Sequence, residues 1–569
     1  MLFPAFLLLS LGTNLVLADS LTTDNSTTWW TSSQAPAPVQ SFHSSNLAPS
    51  EFNRITYDAS KASDELTLLS YRGTGVGQAA PLIMDNNGSL VWSGYEAGYT
   101  NSMDLRVQQF NGEDVLTFFQ GDFFSGGYGN GSWYILSDNY TEIREVYSLN
   151  QTAQTSDFHE FVITSNNTAL VESWRLTEAD LTTAGGDGIG WTWDCVFQEI
   201  QLGASPAEDE LLFEWSSIEG GVTPGESYFL VDGNGNNSDN AFDSCHINSV
   251  EKESTGNYLV SMRGPSTIYY IDGQSGEIIW RLSGKESNFT MGTNATFWYQ
   301  HDARLVPGSD ISQSTFQISL FDNAAGGGDP AEEMARAIVL ELDTEKWTAE
   351  LVWEGLPSFG TPAASQGSHR VQENGNHVVG WGATPYFTEY DSEENIVHDV
   401  AFGTEASVVQ SYRAFKQSWA GFPLTLPSLA INGSSAYASW NGATDVASWA
   451  LMGGTEEGGV TTVVQTTEKS GFETAVASGL NGTYSFYAAA ALASDGTCLG
   501  VSPVYSTSSS SATSANGTCP SGSAVADLGT NGTSTASRGG SSEGGSNGVG
   551  RLTGGVALLA AIAAAIALM

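Results

Sequence analysis

One short unit recurs between residues 50 and 425 and restricts the fold more than any other feature. "PLIMDNNGSLVWSG", "YILSDNYTEIREVYS", "YYIDGQSGEIIWRLSG" and "LELDTEKWTAELVWEG" each read as an apolar strand, an Asp/Asn/Gly turn and a second strand, commonly ending in tryptophan. "NTALVESWRL" and "ELLFEWSS" are degenerate copies. Asp, Asn and Gly tolerate the backbone angles of a tight antiparallel turn, so each unit is a hairpin. A hairpin cannot bury its faces alone; repeated about every 40–60 residues, it predicts a propeller whose blades cover one another. Six copies predict six blades over residues 50–425. "ARAIVLEL" is the nearest helical candidate, but its continuation "DTEKWTAELVWEG" reads as a hairpin. The alternative is a multi-sheet β protein without radial symmetry.

After "GFPLTLPS" (421–428) the character changes. "SSAYASWNGATDVASWALMGG", "TVVQTTEKSGFETAVA" and "TYSFYAAAALASDGTCLGVSPV" alternate strands with polar turns and predict a small β-sandwich over 429–505. The Trp440 strand and "YSFYAAAALASDG" resemble fibronectin type III domains. The expected fold class is therefore all-β, a six-bladed propeller followed by a sandwich. Residues 19–49 form a polar leader, and 506–550 are a Ser/Thr/Gly-rich stretch expected to be an O-glycosylated stalk.

Both ends carry addresses. "MLFPAFLLLSLGTNLVLADS" reads as a secretory signal peptide cleaved after Ala18, although it lacks a basic residue near its start. "VALLAAIAAAIALM" (556–569), preceded by small residues and a short spacer, fits a GPI-anchor signal over 551–569 with attachment within 541–547. At fourteen residues the tail is short of the roughly 20 that a membrane helix needs. Thirteen Asn-x-Ser/Thr sequons, from Asn25 to Asn531, agree with passage through the secretory pathway. The expected location is extracellular, anchored to plasma membrane or cell wall. In such an oxidising compartment the four cysteines are read as disulfides, and proximity pairs Cys195 with Cys245 and Cys498 with Cys519.

Sixty-three acidic residues against nineteen basic ones give a net charge of −44. That surface repels nucleic acid and anionic lipid, so neither is an expected partner. It also repels anionic small substrates unless cations in a pocket reverse the field locally. Each isolated Arg or His gains interest accordingly.

Four of the seven histidines have distinctive settings: "SDFHEFVI" (His159), "DSCHINSV" (His246), "WYQHDARL" (His301) and "GSHRVQENGN" (His369). His43, His377 and His398 have none and are read as structural or surface residues. Arg263, in "NYLVSMRGPSTIYYID", follows a strand-like run among apolar neighbours. Packing or an ion pair is the plain reading of each. No H-E-x-x-H spacing occurs, so no metal site is assigned, but convergence of histidines from different blades on a metal stays open.

In order along the chain, "SDFHEFVITSNNTALVESW", "CHINSV", "YLVSMRGPSTIYYID", "WYQHDARL" with "ISLFDNAAGG", and "GSHRVQENGN" resemble the arylsulfotransferase family, in particular its secreted fungal branch. The resemblance implies a propeller that moves a sulfuryl group between phenols without a nucleotide donor or other cofactor. It implies His301 as the nucleophile that becomes sulfated, His246 and Arg263 as holders of the sulfate oxygens, and His159 as a further sulfate-binding or proton-transferring group. It implies no role for His369. Trp298, Tyr299 and Asn248 are the expected substrate contacts, the substrate being a small phenol or aryl sulfate. The residue types suit the task. A neutral imidazole bonds to sulfur and leaves again, a planar guanidinium matches sulfuryl oxygens, and a second imidazole serves the departing phenoxide. Asp302 is a candidate to orient the His301 ring, although strand alternation argues against it. Two rivals remain: a non-catalytic surface protein binding glycan or protein, and a metal-dependent hydrolase.

Overall fold

The computed structural model describes residues 23–124, 126–151, 156–324, 334–360 and 363–524. The signal peptide, most of the stalk and the anchor signal lie outside the described residues.

The described chain is nearly all β, and six mainly antiparallel sheets succeed one another between Asn53 and Gln417. Their inner strands are Ala414–Gln417, Ser102–Phe110, Phe161–Ile163, Ile247–Lys252, His301–Leu305 and Ser368–Val371. Each sheet packs on the next, and the sixth returns to the first, so the sheets close a ring. The late strand Ala414–Gln417 pairs with Leu66–Tyr71, tying the end of the ring to its beginning. Radial closure covers the faces of each sheet and leaves only its outer strand as an edge.

Four of the hairpins read from the sequence are present. In the first, Ala80–Met84 pairs with Leu90–Ser93 across "DNNG", where Gly88 takes φ 75°, a conformation glycine adopts without strain. Four of the six repeats are the outer strand pairs of four sheets. "NTALVESWRL" and "ELLFEWSS", however, are two strands of a single sheet, Thr168–Asp180 and Glu210–Ser216. The sheet built on Ser368–Val371 corresponds to none of the repeats. "ARAIVLEL" is a strand, Arg336–Asp343, as its continuation predicts. Between sheets the core is apolar: Leu259, Ile268 and Leu282 pack on Phe297, Ala303, Ile318 and Leu340.

The C-terminal domain is a sandwich of two sheets around Trp440, Trp449, Leu451, Val476 and Tyr487. It is seated on the ring by Asn441, whose amide bonds both the N–H and the carbonyl of Ser93 at 2.9 Å. It also extends past residue 505. Ser511–Asn516 pairs with Pro503–Ser506, and Cys498 is bonded to Cys519. A low-complexity composition does not prevent an edge strand, because the ladder is made by backbone groups. The leader likewise contributes: Thr23–Asp24 pairs with Asn53–Arg54, and Trp29 is buried. The second disulfide is Cys195–Cys245. Two disulfides suit an oxidising, extracellular compartment. No helix among the described residues is long and apolar enough to cross a membrane.

Candidate active site

The order of residues on the inner strands decides where the chemistry collects. His301 opens its inner strand, His246 immediately precedes Ile247, and His159 stands two residues before Phe161. Tyr412 stands two residues before Ala414. Inner strands of a propeller run alike along the axis, so their leading residues meet at one mouth. The His159 and His246 rings lie 5.0 Å apart, and Trp174 is 5.0 Å from His246 and 6.0 Å from His159. Tyr412 bridges the set, 5.6 Å from His159 and 6.3 Å from His301. Arg263 follows the strand Tyr258–Met262 and is fixed beside His246 by its backbone N–H, which donates to the His246 carbonyl at 2.8 Å.

Each histidine has its Nδ1 engaged. His159 bonds Asp157 Oδ2, and that carboxylate also accepts the backbone N–H groups of His159 and Gly129. His246 Nδ1 is 2.5 Å from Asp243 Oδ2. His301 Nδ1 is 2.6 Å from Asn323 Oδ1. The Asn323 amide donates to the carbonyls of Ala363 and Gln366, both at 2.9 Å, so its oxygen must face His301. An oxygen there accepts only a proton, which sets Nδ1–H and leaves the Nε2 lone pair free for bonding.

Electrostatics favour that neutral form. Burial, then Arg263, then His159 and His246 hold the His301 pKa well below the ordinary imidazole range. Burial also lowers His159, against the pull of Asp157. Arg263 has no carboxylate within ion-pair reach among the described residues. Its Nε is buried without a hydrogen-bond partner, and Nη2 reaches only the Ala364 carbonyl, at 3.4 Å. The guanidinium rests on Phe229 and Tyr299, 5.2 and 5.5 Å from the ring centres. A half-satisfied, desolvated cation beside three histidines is poised for an anion.

The other expected residues divide. Tyr299 lies stacked on Phe229, 5.3 Å between rings, and so belongs to the shelf under Arg263. Trp298 packs against Tyr228 and has no ring contact with the histidines among the described residues. Asn248 is fully buried in its strand, its amide donating to the Gln300 carbonyl at 2.8 Å. His369 is a packing residue: its Nδ1 faces two strand carbonyls, its Nε2 meets His377, and Trp353 stacks on it.

Asp302 does not orient His301. A bulge between His301 and Arg304, with Asp302 at φ 55°, turns the carboxylate away to bond Arg304 and Arg370. There it joins a charged plug on the axis with Asp104, Arg106, Glu160 and Arg413. Burial alone would raise the Glu160 pKa; Arg304, Arg413 and Arg106 outweigh it and keep the carboxylate ionised. Beyond the plug, a cavity of about 850 Å³ opens at the opposite mouth, lined by Arg106, Arg304, Arg370 and Glu251. The plug separates it from the histidines.

Sequence reasoning missed Asp157, Asp243 and Tyr412 and did not single out Asn323. Three of these stood inside the quoted motifs, as "SDFH", "DSCH" and "FDNAA". One metal-capable group occurs among the described residues: ligand atoms of Asp157, His159 and Glu172 lie within 4.8 Å of one another. Both Glu172 oxygens lack a hydrogen-bond partner, and burial raises its pKa well above the carboxylate range.

Residues 106–403, just over half of the chain, match the arylsulfotransferase (ASST) family. The matched span holds His159, His246, Arg263, His301 and Asn323, and ends before Tyr412. No curated protein matches the chain. Solved structures similar to it include a Bacteroides caccae protein of unknown function, 11% identical, covering 62% of this chain and 98% of its own, with TM-score 0.35. A Lactobacillus plantarum protein is 11% identical over 72% and 98%, with TM-score 0.31. Virginiamycin B lyase from Staphylococcus aureus is 9% identical over 59% and 95%, with TM-score 0.25.

Proposed function

We propose, from the premise that the chain belongs to the arylsulfotransferase family, that it moves a sulfuryl group from an aryl sulfate to a phenol through a sulfo-histidine on His301. In the first half-reaction His301 Nε2 attacks sulfur. The N–S bond forms, the S–O(aryl) bond breaks, and its electron pair leaves on the phenoxide oxygen. His159 or Tyr412 supplies the proton that the phenoxide takes up. Arg263 and His246 hold the sulfuryl oxygens as their charge grows. In the second half-reaction a phenol binds where the first one left, gives up its proton to the same group, and attacks sulfur. The N–S pair returns to Nε2, and the enzyme is restored. No nucleotide donor enters either step.

The observation that supports this most is the Asn323–His301 bond, which presents a neutral, buried Nε2 beside Arg263, which has no carboxylate partner among the described residues. The test mixes purified protein with a chromogenic aryl sulfate and a phenol acceptor. Ping-pong kinetics with release of the first phenol before acceptor addition is the expected result. An inert protein would favour a non-catalytic surface role.

A second reading has one observation behind it, the Asp157–His159–Glu172 group. A divalent ion held there would suit a hydrolase. Loss of activity with a chelator, together with metal in the purified protein, would favour it.

A further inference from the structure

Among the described residues every arginine reaches a carboxylate except two, Arg263 and Arg72. Arg72 therefore stands out in a chain with 63 acidic residues. Its Nη1 is buried without a hydrogen-bond partner, and its guanidinium lies 4.8 Å from the centre of the Phe123 ring. Burial lowers its pKa to about 10. Leaving a desolvated guanidinium unpaired is costly unless something with negative charge visits it.

Two chains of contacts place Arg72 in the wall of the same mouth. Its backbone exchanges hydrogen bonds with Gln410, at 3.1 and 2.9 Å. The Gln410 side chain accepts from Gln366 at 2.7 Å, and the Gln366 carbonyl accepts from Asn323, which holds His301. On the other side, Phe123 packs on Phe158 at 5.4 Å, and Phe158 stacks on His159 at 4.1 Å. Arg72 belongs to the first sheet and Arg263 to the fourth, which face each other across a ring of six. Each guanidinium rests on aromatic rings, Arg72 on Phe123 and Arg263 on Phe229 and Tyr299. Phe123 and Phe158 stand in the contact chain between Arg72 and His159.

Resting on the function proposed above, we propose that Arg72 reads a carboxylate at the far end of the phenolic substrate. The preferred substrates are then hydroxyaryl carboxylates rather than neutral phenols. The ring lies along Phe123 and Phe158, its hydroxyl or sulfate at His301, its carboxylate on the planar fork of Arg72.

The experiment uses the purified protein with 4-nitrophenyl sulfate as donor. It compares 4-hydroxyphenylacetate with its neutral isostere, 4-hydroxyphenylacetamide, as acceptor. The expected kcat/KM favours the acid by about tenfold or more. Arg72→Gln collapses that ratio through KM for the acid, and Arg72→Lys restores part of it. No preference in the parent protein, or an equal loss for both acceptors in Arg72→Gln, overturns the proposal while the sulfuryl reading stands. If neither acceptor is sulfated, the sulfuryl reading fails, and calorimetric titration with 4-hydroxyphenylacetate decides Arg72 separately. Binding that Arg72→Gln removes supports the assignment; absent or unaltered binding overturns it.

Discussion

Asn323 Oδ1 accepts the Nδ1 proton of His301 at 2.6 Å, while the Asn323 amide is itself tied down by two carbonyls. The tautomer of the proposed nucleophile is thus written into the end of the neighbouring strand. Asn323→Leu frees the ring and is expected to lower kcat by roughly ten- to a hundredfold, the worth of one buried hydrogen bond. Asn323→Asp places a carboxylate on Nδ1, favours imidazolium, and moves the acid limb of the pH–rate profile to higher pH. An unshifted limb in Asn323→Asp contradicts the assigned contact.

Arg263 invites opposite effects on activity and stability. Arg263→Gln removes a fixed oxyanion donor, so turnover is expected to fall about a hundredfold or more. Its melting temperature is expected to hold or rise, because the guanidinium has no carboxylate partner to lose. Arg263→Lys keeps the charge without the fork and recovers little. A large drop in melting temperature with activity retained makes Arg263 a structural residue instead.

The Tyr412 hydroxyl is buried without a hydrogen-bond partner, and burial raises its pKa well above the ordinary phenol value. It is a neutral donor on a ring 5.6 Å from that of His159 and 6.3 Å from that of His301. Tyr412→Phe is expected to reduce kcat about tenfold without lowering the melting temperature, since no bond is broken in the resting protein. Parent-like kcat in that variant removes Tyr412 from the mechanism.

Three packing histidines give the fold an acid limit. Burial lowers His369 to about 4, His377 to about 3 and His398 to about 2. Unfolded histidine titrates near ~6.5. As pH falls below that value the unfolded chain takes up protons that the folded chain refuses, so stability is lost progressively toward pH 4. Above about 6.5 these groups are neutral in both states and contribute no slope. Melting temperatures between pH 8 and 4.5 check this; a flat profile below 6.5 contradicts it.

The proposed donor is an anion approaching a chain of net charge −44. Raising ionic strength screens the repulsion, so kcat/KM is expected to increase from low to moderate salt. A neutral acceptor does not share the effect. A rate independent of salt means that the local field of Arg263 and Arg72 governs entry.

The outer hairpins were legible because turn chemistry is local: "DNNG" and "DGQSG" announce themselves without reference to the rest of the chain. The inner strands are buried on both faces and carry charge for the axial plug, so alternation does not reveal them. That is why one sheet was read twice, as the Trp174 and Trp215 segments, and the His369 sheet was not read at all. His159, His246 and His301 were legible as histidines in motifs, but their convergence required the ring. Asp302 points away from His301, as strand alternation argues, but the bulge and left-handed residue that aim it at Arg304 and Arg370 have no sequence signal. Arg72 directly follows the strand Leu66–Tyr71 in a stretch without a motif, and only the lack of an ion pair among the described residues distinguishes it.

The most direct test is to quench the protein with an aryl sulfate before any acceptor is added and to map the modified peptide by mass spectrometry. The account predicts one sulfuryl group per chain on the peptide bearing His301, discharged on adding a phenol and absent in His301→Asn. A sulfuryl group on another residue, or full turnover by His301→Asn, contradicts it.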